Sequence, residues 1–521
     1  MTEANDFTRM IRALQAPTAY PHPVERVEHR ETHISHVLLA GEYAYKIKKP
    51  LDLGFLDFSS PAARAHYCHE EIRLNGRLAP QIYRAVVAIT GTPEQPRIGG
   101  DGPVLEHAVC MRRFDDRHRL DHEIAAGGVG RALIDAIGER IGRFHEELAA
   151  SDPPPGCGTP ESILGPAEEN FEQIEATGID AATTGDLASL RAWTQAQWQQ
   201  LRPMFARRRR SGRVREGHGD LHLGNMVLDA DAVAIFDGIE FNAELRWIDV
   251  ANDIAFLVMD LDRVGAPHLA GRALDAWLAV TGDYEALTVL RFYLVYRAVV
   301  RAKIHALRAG QDPAAATDAL AAYREYVALA LRYAQAGAPA IVLTRGVAGT
   351  GKSSAAACLV ERVGAVRLRS DVERRRLYPD APPSVRYSEI ASTAVHARLE
   401  RLARTTAAAG WPAVVDATFL ERRHRAPFLA LARRLGVPTR ILDLQTPPAV
   451  RDARIRARAA RGGDPSEADP DVAAHQEQAL EPLTPGEAAI TLAVDNSGEH
   501  PHVPHTGLTH ARGGPVVDGD A

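Results

Sequence analysis

Two hydrophobic periods follow one another along the first two-thirds of the chain. Between residues 25 and 115, short strand-like runs surround one helical stretch; the runs are THISHVLLAG, YAYKIKK, IYRAVVAIT and VLEHAVCMRRF. From Leu120 to about Tyr333 the sequence is rich in Ala, Leu and Arg, and its apolar residues recur with a helical period. The pattern predicts an α+β domain in which a small β-rich lobe (about 25–115) precedes a helical lobe (about 116–333).

An alternation of strands and helices begins after AQAGAPA, residues 334–340, which is predicted to be a linker. The strand candidates are AIVLTRG, AVRLRSD, PAVVDAT, TRILDLQT and AAITLAV. Helical stretches separate them, for example at residues 383–409 and 422–435. This alternation predicts an α/β domain over residues 341–494, with a parallel sheet covered by helices on both faces.

Both ends of the chain are predicted to lie outside these domains. Residues 1–24 are expected to form an N-terminal extension. Residues 495–521 are rich in Gly, Pro and His without an apolar period, which predicts a disordered tail. Because no acidic or thiol ligand accompanies them, the tail histidines could bind a metal only weakly; they are His500, His502, His505 and His510.

Length and composition favour a cytoplasmic two-domain protein. At 521 residues the chain can bury a substantial core in each domain. Its four cysteines have no C-x-x-C spacing, so neither a zinc site nor a disulfide framework is indicated. The N-terminal residues lack the apolar stretch of a signal peptide, and no apolar run approaches the ~18 residues of a membrane span. We therefore expect no membrane partner.

The segment GVAGTGKS, from Gly346 to Ser353, is a complete G-x-x-x-x-G-K-[ST] phosphate-binding motif. Glycines allow the backbone N–H groups to turn toward the phosphates, while Lys352 reaches the β and γ oxygens and Ser353 holds Mg²⁺. The alternative is a glycine-rich turn with an incidental lysine. The predicted ATP-binding residues of this loop are Gly346, Gly349, Thr350, Gly351, Lys352, Ser353 and Ser354.

Lysine is scarce, and its positions are therefore informative. Only five of the 61 basic residues are lysine, so arginine serves as the general surface cation. One lysine belongs to the phosphate-binding loop, and three lie together in YAYKIKKP, residues 43–50. Because an ammonium and a guanidinium are not interchangeable at a phosphate, we expect a second phosphate site near this strand-like run.

A second set of polar residues occurs in HGDLHLGN, residues 218–225, and in IFDGIEFN, residues 235–242. An Asp that accepts a hydroxyl proton, an Asn five residues later and an Asp after the next short strand supply the base and the metal ligands of kinase-fold enzymes. The first segment resembles the H-G-D-x-H-x-x-N loop of the aminoglycoside phosphotransferase family. This resemblance extends over roughly residues 25–333 and implies a protein-kinase-like fold and phosphoryl transfer.

The resemblance also implies residue roles. By it, the catalytic residue is Asp220, the Mg²⁺ ligands are Asn225 and Asp237, and the ATP-binding pair is Lys46 with Glu71. Two choices stay open, because Lys48 lies on the same strand face as Lys46, and Glu70 could replace Glu71. A plainer alternative makes the two histidines of the loop core residues and its Asp a turn residue.

In the C-terminal domain, RSDVERRRL places Asp371 at the end of the second strand and Arg374 one helical turn later. This pattern looks like that of the polynucleotide-kinase and zeta-toxin group of P-loop kinases. The resemblance implies that Asp371 accepts the proton of the attacking hydroxyl and that Arg374 contacts the substrate. The alternative is that Asp371 caps the N-terminus of the helix.

Asp416 ends the apolar strand AVVDAT, where a carboxylate is expected to contact Mg²⁺ through water. Four arginines recur on one face of a later helix: Arg451, Arg454, Arg458 and Arg461. Since GGDPSEADPD follows as a hinge-like segment and the relatives carry lid arginines here, we expect a phosphate-binding lid with Arg454 and Arg458 as the preferred pair. A solvated charged face is the alternative.

Charge adds one indication about partners. Residues 338–494 carry 23 basic against 17 acidic residues, which is compatible with a phosphorylated or polynucleotide substrate and also with an ordinary ATP domain. The run Arg207–Arg210 ends a helical stretch and is predicted to be a solvated helix end, with a nucleic-acid or partner contact as the alternative.

The whole pattern resembles bacterial fusions of an aminoglycoside-phosphotransferase-like domain with a P-loop kinase domain. We expect an ATP- and Mg²⁺-dependent phosphotransferase with two nucleotide sites, each acting on a hydroxyl. The first acceptor is expected to be a small molecule, and the second a small molecule, a nucleotide or a polynucleotide 5′ end. In the alternative, the first domain is a binding or regulatory module and only the P-loop domain is catalytic. The sequence does not indicate the oligomeric state.

Overall fold

The computed structural model describes residues 2–54, 56–148, 152–229, 232–311, 314–335, 337–461, 470–498 and 502–513. The chain forms two compact units. The first comprises residues 1–130, 144–163 and 205–260, and the second comprises residues 131–143, 164–204 and 261–521.

The first unit begins with a six-stranded antiparallel sheet. Its elements in chain order are α1 (Thr2–Ala13), β1 (Val27–Glu31), β2 (Ser35–Ala40), β3 (Tyr43–Lys48), α2 (Pro61–Asn75), β4 (Tyr83–Thr92), β5 (Gln95–Ile98) and β6 (Val104–Arg112). The strand order is β1-β2-β3-β6-β4-β5. Helix α1 belongs to this lobe, because Met10, Ile11 and Leu14 share a buried core with Ile47 and other sheet residues. These residues therefore do not form the extension outside the domain that the sequence suggested.

The segment that follows is mostly helical. Its elements are α3 (Leu120–Ala125), α4 (Arg131–Glu147), α5 (Pro160–Thr177), α6 (Thr184–Arg210), β7 (Val214–Glu216), β8 (Met226–Asp229), β9 (Ala232–Ile235), α7 (Ala243–Arg246), β10 (Trp247–Asp249), α8 (Val250–Arg263), α9 (Pro267–Thr281), α10 (Leu287–Gln311) and α11 (Ala316–Ala334). Two small antiparallel pairs, β7 with β10 and β8 with β9, position the loops between these helices.

The last segment is an α/β domain. Its elements are β11 (Ala340–Arg345), α12 (Lys352–Val363), β12 (Val366–Arg369), α13 (Ser370–Leu377), α14 (Pro383–Arg386), α15 (Glu389–Ala408), β13 (Pro412–Asp416), α16 (Arg422–Leu435), β14 (Thr439–Gln445), α17 (Pro448–Arg461), α18 (Pro470–Gln478), α19 (Pro485–Ala488) and β15 (Thr491–Asp495). The five strands are parallel in the order β12-β13-β11-β14-β15.

Apolar side chains cover both faces of this parallel sheet. Val342 and Val414 pack with α12 residues in one core, while the neighbouring Leu343 and Val415, which point to the opposite face, are also fully buried. Near-continuous apolar strands are typical of a parallel sheet with two covered faces. The predicted fold class, a kinase-like α+β domain followed by a parallel α/β P-loop domain, is therefore confirmed.

Helix α9 packs closely against α12 within the second unit. A Cβ added to the buried Gly271 of α9 would lie 2.5 Å from the backbone oxygen of Val360 in α12. Arg367 of β12 donates a hydrogen bond of 2.6 Å to Asp275 of α9, and the indole of Trp411 donates one of 3.1 Å to the Leu287 carbonyl. The second unit thus joins helices from the middle of the chain to the P-loop segment.

Three expectations need correction. The helical stretch 383–409 is broken after Arg386, because Ser388 caps α15 by accepting from the Ala391 amide. Arg208 is not a solvated charge: it is fully buried and pairs with Asp249 at 2.6 Å. Residues 502–513 of the predicted disordered tail are packed, since Val503 and Leu508 enter the core beside α12 and Arg512 pairs with Asp262 at 2.8 Å.

The tail histidines were expected to bind a metal only weakly. Burial lowers the pKa of His510 to about 3, and His500 lies outside the described residues. Among the described residues, no helix combines the length and the apolar character needed to cross a membrane.

Candidate phosphotransfer sites

The loop of residues 218–225 is held from behind by two carboxylates of α8. The amides of His218 and Gly219 donate to Asp253 at 2.8 and 3.0 Å, and the amide of Leu223 donates to Asp260 at 3.0 Å. Both carboxylates are buried, so these amides are fixed without competition from solvent. Helix α8 therefore sets the path of the loop.

Asp253 is itself held ionised in the core. Burial opposes its charge, but hydrogen bonds from His145, at 3.2 Å, and from the His218 amide outweigh that effect and lower the pKa of Asp253 to about 2. A carboxylate that accepts several hydrogen bonds is stabilised in its charged form. Asp253 thus acts as a fixed negative anchor for the loop.

The two loop histidines have different surroundings. His218 is buried; its Nε2 lies 3.0 Å from the Phe236 carbonyl and its Nδ1 accepts from the Asp220 amide, so Nε2 carries the proton. His222 accepts from the Gly224 amide through Nδ1, and its Nε2 lies 3.3 Å from Asp220 Oδ2. Both imidazoles therefore order the loop backbone, and His222 also contacts the Asp220 carboxylate.

Asp220 and Asn225 are brought together at the partly exposed side of the loop. The side-chain amide of Asn225 donates through Nδ2 to Asp220 Oδ2 at 2.9 Å and to the Asp220 backbone carbonyl at 3.0 Å. The β8–β9 hairpin then returns the chain, and the Phe236 amide donates to the Asn225 carbonyl at 2.9 Å. Asp237, the next residue, follows this contact directly.

Asp237 has an unusual backbone conformation. Its φ is 61°, a left-handed value that is uncommon for a residue other than glycine. It is held there by Tyr83, whose hydroxyl accepts from the Asp237 amide at 3.1 Å, while the next amide, Gly238, donates to Asn75 at 2.7 Å. Strained backbone of this kind is concentrated at functional sites.

Lys46 links this loop to the sheet lobe. Its Nζ lies 2.9 Å from Glu71 Oε1 and 2.5 Å from Asp237 Oδ1. Burial opposes its charge, but Asp237 and Glu71 outweigh it and raise the pKa of Lys46 well above its ordinary value. The Lys46 ammonium, the Glu71 carboxylate from α2 and the Asp237 carboxylate after β9 therefore meet at one point, as the sequence predicts for this site.

The open alternatives at this site are separated by their contacts. Lys48 lies 2.7 Å from Glu71 Oε2 but is fully buried, and its other partner is the buried Glu240. Glu70 instead accepts from Arg73, at 2.8 Å, on the exposed side of α2. Burial opposes the charge of Glu71, yet the two lysines lower its pKa to about 2. Of the two lysines, only Lys46 also contacts Asp237.

The phosphate-binding loop turns at three glycines with positive φ, Gly346, Gly349 and Gly351. A Cβ added to Gly346 would lie 2.7 Å from Thr350 Oγ1, and one added to Gly351 would overlap the side chain of Asn496. Both the conformation and the space therefore require glycine. Ser353 and Ser354 are exposed in the first turn of α12, where backbone N–H groups favour an anion.

Three charged residues lie around the start of α12. Burial lowers the pKa of Lys352 to about 8, against the opposing charges of Asp416 and Asp371. Its Nζ donates to the Val347 carbonyl within the loop at 2.7 Å. Burial, together with the charge of Asp416, raises the pKa of Asp371, which moves this carboxyl toward the range useful to a general base.

Asp371 and Arg374 share α13, but their surroundings differ. Arg369 occupies the N-cap position of α13 and no side chain caps this end, so the interpretation of Asp371 as the cap is wrong. Arg374 is buried; it donates to the Arg386 carbonyl at 2.8 Å and lies 5.0 Å from the ring of Tyr387. Arg374 therefore holds the segment between α13 and α15.

The arginine helix, α17, lies over the phosphate-binding loop. The backbone and side chain of Arg451 lie beside Gly349, and Ile455 packs with Ala348. Arg454 donates to the Gly498 carbonyl, and the charge of Arg458 contributes to lowering the pKa of Lys352. The predicted hinge-like segment falls largely outside the described residues, as does the side chain of Arg461.

Helix α18 also contacts the phosphate-binding loop. The Ala348 amide donates a hydrogen bond of 2.7 Å to Gln476 Oε1, and Ala473 packs with Ala348. On the other side of the loop, Asn496 donates to the Thr350 carbonyl at 2.8 Å. A side chain from α18 thus accepts from an amide of a loop whose amides are suited to phosphate.

Several residues of these sites were not predicted from sequence: Asp253, Asp260, Glu240, Gln476 and Asn496. Two of them carried a usable signal, because Asp253 and Asp260 are seven positions apart in the largely apolar helix α8, which places them on one face. The others have no such signal. They act through contacts with distant parts of the chain.

The donor sets fit a nucleotide and a divalent cation. Asn225 and Asp237 offer the oxygen ligands that Mg²⁺ prefers, and Asp237 is half-exposed. In the α/β domain, a glycine cradle that a Cβ would fill surrounds the loop amides, and Ser353 with Asp416 offers oxygen ligands.

Comparisons with known proteins match two parts of the chain to different family models. Residues 55–293 match the family model described as "Phosphotransferase enzyme family", and residues 341–483 match that described as "AAA domain". The protein Rv2004c of Mycobacterium tuberculosis (strain ATCC 25618 / H37Rv), described as uncharacterized, is 32% identical over 472 residues, which are 88% of this chain and 91% of that protein.

Two solved structures resemble separate parts of the chain. The GDP complex of wild-type aminoglycoside 2'-phosphotransferase-IIIa is 16% identical, covers 62% of this chain and 98% of its own, and has a TM-score of 0.38. A gluconokinase from Sinorhizobium meliloti 1021 is 20% identical, covers 31% and 85%, and has a TM-score of 0.24. The two family-model matches of this chain show a fusion of an aminoglycoside-phosphotransferase-like kinase domain with a P-loop kinase-type domain. By its identity to Rv2004c over most of both chains, the chain belongs to the family of that protein.

Proposed function

We propose that the chain is an ATP- and Mg²⁺-dependent phosphotransferase with two active modules, each of which transfers a phosphoryl group to a hydroxyl. The proposed modules are residues 25–333 and 341–494, joined by the linker 334–340. The observation that carries the proposal is Lys46 Nζ, which contacts Glu71 and Asp237 together. A kinase-fold enzyme needs this convergence of ammonium and carboxylates to place a nucleotide.

In the first module, Asp220 accepts the proton of the acceptor hydroxyl, and Asn225 with Asp237 holds Mg²⁺. The Asn225 and His222 contacts to Asp220 orient its carboxylate. Lys46 pairs the α and β phosphates of ATP, and Glu71 positions Lys46. When bound, Mg²⁺ neutralises phosphate charge, and the side chains supply position and charge more than covalent chemistry.

In the second module, the glycine loop and Lys352 hold the ATP phosphates, and Ser353 with Asp416 holds Mg²⁺. Asp371 takes the hydroxyl proton, for which its burial and raised pKa are suited. Arg374 contacts the acceptor substrate, and Arg454 with Arg458 neutralises charge on the transferred group. Losing one such cation typically costs around 10²-fold or more in kcat.

Calorimetry with a non-hydrolysable ATP analogue and Mg²⁺ tests whether both modules bind nucleotide. We expect two sites in the wild-type chain. Lys352→Ala should remove one site and Lys46→Ala the other, because each takes away the ammonium that faces the phosphates. One site that disappears entirely in Lys352→Ala would instead make residues 25–333 a binding or regulatory module.

The acceptors can be sought directly. The purified protein is incubated with γ-labelled ATP and a metabolite extract, and the labelled products are identified by mass spectrometry. Small hydroxyl compounds are the acceptors proposed for the first module. A parallel incubation with 5′-hydroxyl oligonucleotides distinguishes a polynucleotide acceptor for the second module, and Asp220→Ala and Asp371→Asn assign each product to its module.

A further inference from the structure

The face of the small sheet that packs under α1 carries three residues with metal-binding side chains. In the antiparallel pair β1–β2, Glu31 lies opposite His36, and His29 lies two residues before Glu31 on the same face. The face is settled by His36, whose strand neighbour is Ile47 of the α1-side core rather than Lys46. The cluster is therefore separate from the Lys46 site.

The three side chains converge on one point. His29 Nε2 lies 3.0 Å from His36 Nδ1, and one potential ligand atom of each of His29, Glu31 and His36 lies within 4.8 Å of the others. Among the described parts of the chain, this is the only group of three or more such residues that meets this distance. Both histidines are half-buried and Glu31 is exposed, so an ion can reach the group from solvent.

The spacing suits a first-row transition metal. In tetrahedral zinc sites the Zn–N distance is about 2.0–2.1 Å, which places two imidazole nitrogens about 3.3 Å apart. The two nitrogens here share a hydrogen bond of 3.0 Å, which an ion would replace as the nitrogens move apart by about 0.3 Å on that estimate. Two rigid strands already hold the rings at this separation, so little conformational entropy is lost on binding.

The carboxylate of the group already has a cationic partner. Lys49 Nζ lies 2.6 Å from Glu31 Oε1 and 2.5 Å from the Thr32 carbonyl. Glu31 therefore already holds a cation at this position, and a metal ion can bind its carboxylate only after that ammonium leaves. A metal ion would replace the ammonium at the carboxylate, and Lys49 would keep its hydrogen bond to the Thr32 carbonyl.

We propose that His29, Glu31 and His36 form a binding site for a divalent first-row transition metal ion, with Zn²⁺ as its probe. The ion would tie β1 to β2 beside α1, where Phe7 lies 5.9 Å from the ring of His36. Two imidazoles select against Mg²⁺, which prefers oxygen ligands, so the site differs from the magnesium sites proposed for phosphoryl transfer.

The test is a Zn²⁺ titration of the full-length, untagged protein by calorimetry, with millimolar Mg²⁺ present throughout. We expect one Zn²⁺ site in the wild-type chain, weakened by at least about tenfold in each of His29→Ala, His36→Gln and Glu31→Gln. His33→Ala is the matched control, since His33 is exposed in the same hairpin and should leave binding unchanged.

Two further readouts keep the test decisive. Glu31 is exposed, so Glu31→Gln should fold normally even if a histidine variant does not. Zn²⁺ should raise the Tm of the wild type and of His33→Ala but not that of the three ligand variants. Equal Zn²⁺ affinity in the wild type and Glu31→Gln, or the absence of a Zn²⁺ site in the wild type when millimolar Mg²⁺ is present, would overturn the proposal.

Discussion

One buried carboxylate organises the first site at the scale of single residues. Glu71 accepts from both Lys46 and Lys48, and the two lysines differ in their second partner. Lys46 reaches the half-exposed Asp237, whereas Lys48 reaches the buried Glu240. Lys46 therefore reaches the half-exposed side of the site, whereas Lys48 neutralises buried carboxylates.

The two lysines should respond differently to replacement. Lys48→Met leaves Glu240 buried without its cation, so we expect a loss of about 3–5 kcal/mol in the free energy of unfolding, measured by urea denaturation. Adding Glu240→Gln should recover part of this loss, because the uncompensated charge is then removed. A Lys48→Met protein as stable as the wild type would contradict this assignment.

Asp371 can be tested as a base because it does not cap α13. In an Asp220→Ala background, which silences the first module, we expect Asp371→Asn to lower kcat by about 10² or more, since an amide cannot accept the proton. The Kd for ATP and the Tm should stay near their background values. A kcat within about threefold of the background would exclude Asp371 as the general base.

The sequence predicted the residues that belong to compact motifs and missed those that act across the chain. Lys352 and its glycines lie within eight positions, so their spacing alone indicates a phosphate site. Asp253 accepts from the amide of His218, which lies 35 residues away in the sequence. Gln476 accepts from the amide of Ala348, which lies 128 residues away. No local pattern links such pairs, because only the folded chain brings them together.

At the scale of elements, α8 supports the first site. Its buried carboxylates, Asp253 and Asp260, fix three amides of the loop that carries Asp220. Some element boundaries were predictable from local signals, as for α16, which spans residues 422–435 as expected and ends at the left-handed cap Gly436. The short strands β1 and β5 were missed, because β1 is mostly polar and β5 contains Pro96.

Asp253 should therefore matter for stability in a pH-dependent way. Its folded-state pKa, about 2, is below the ordinary value near 3.9, so ionised Asp253 stabilises the fold fully above about pH 4. This contribution is lost as the pH falls toward 2. We expect Asp253→Asn to cost about 1–3 kcal/mol at pH 6, because an amide nitrogen would face the loop N–H groups.

Urea unfolding between pH 6 and pH 3 measures this effect. The difference in stability between the wild type and Asp253→Asn should shrink as the pH falls below about 4. Asp101→Asn, at an exposed loop position, is the control and should show no such trend. A difference that is constant over this range would show that the charge of Asp253 is not what anchors the loop.

At the scale of the whole molecule, the second compact unit crosses the border between the two matched families. It includes α9, α10 and α11 together with the P-loop domain, although the phosphotransferase match ends at residue 293 and the AAA match begins at 341. At Gly271, α9 lies directly against the backbone of α12.

Replacing this glycine tests how firmly α9 and α12 are joined. Gly271→Ala would place a Cβ 2.5 Å from the Val360 oxygen, so we expect a loss of about 1–3 kcal/mol and a lower Tm. Gly310→Ala is the matched control: Gly310 is exposed in α10 with open space around it, and alanine there should be neutral or stabilising by up to about 1 kcal/mol. Equal Tm values for the two variants would contradict close packing of α9 on α12.

The packing of α9 on α12 has a consequence for how such chains diversify. Recombination that exchanged the P-loop segment alone would separate Gly271 from Val360 and Arg367 from Asp275. An exchange would preserve these two contacts only if α9 travelled with the P-loop segment. A crossover that keeps them therefore lies upstream of α9, inside the region that the first family model covers.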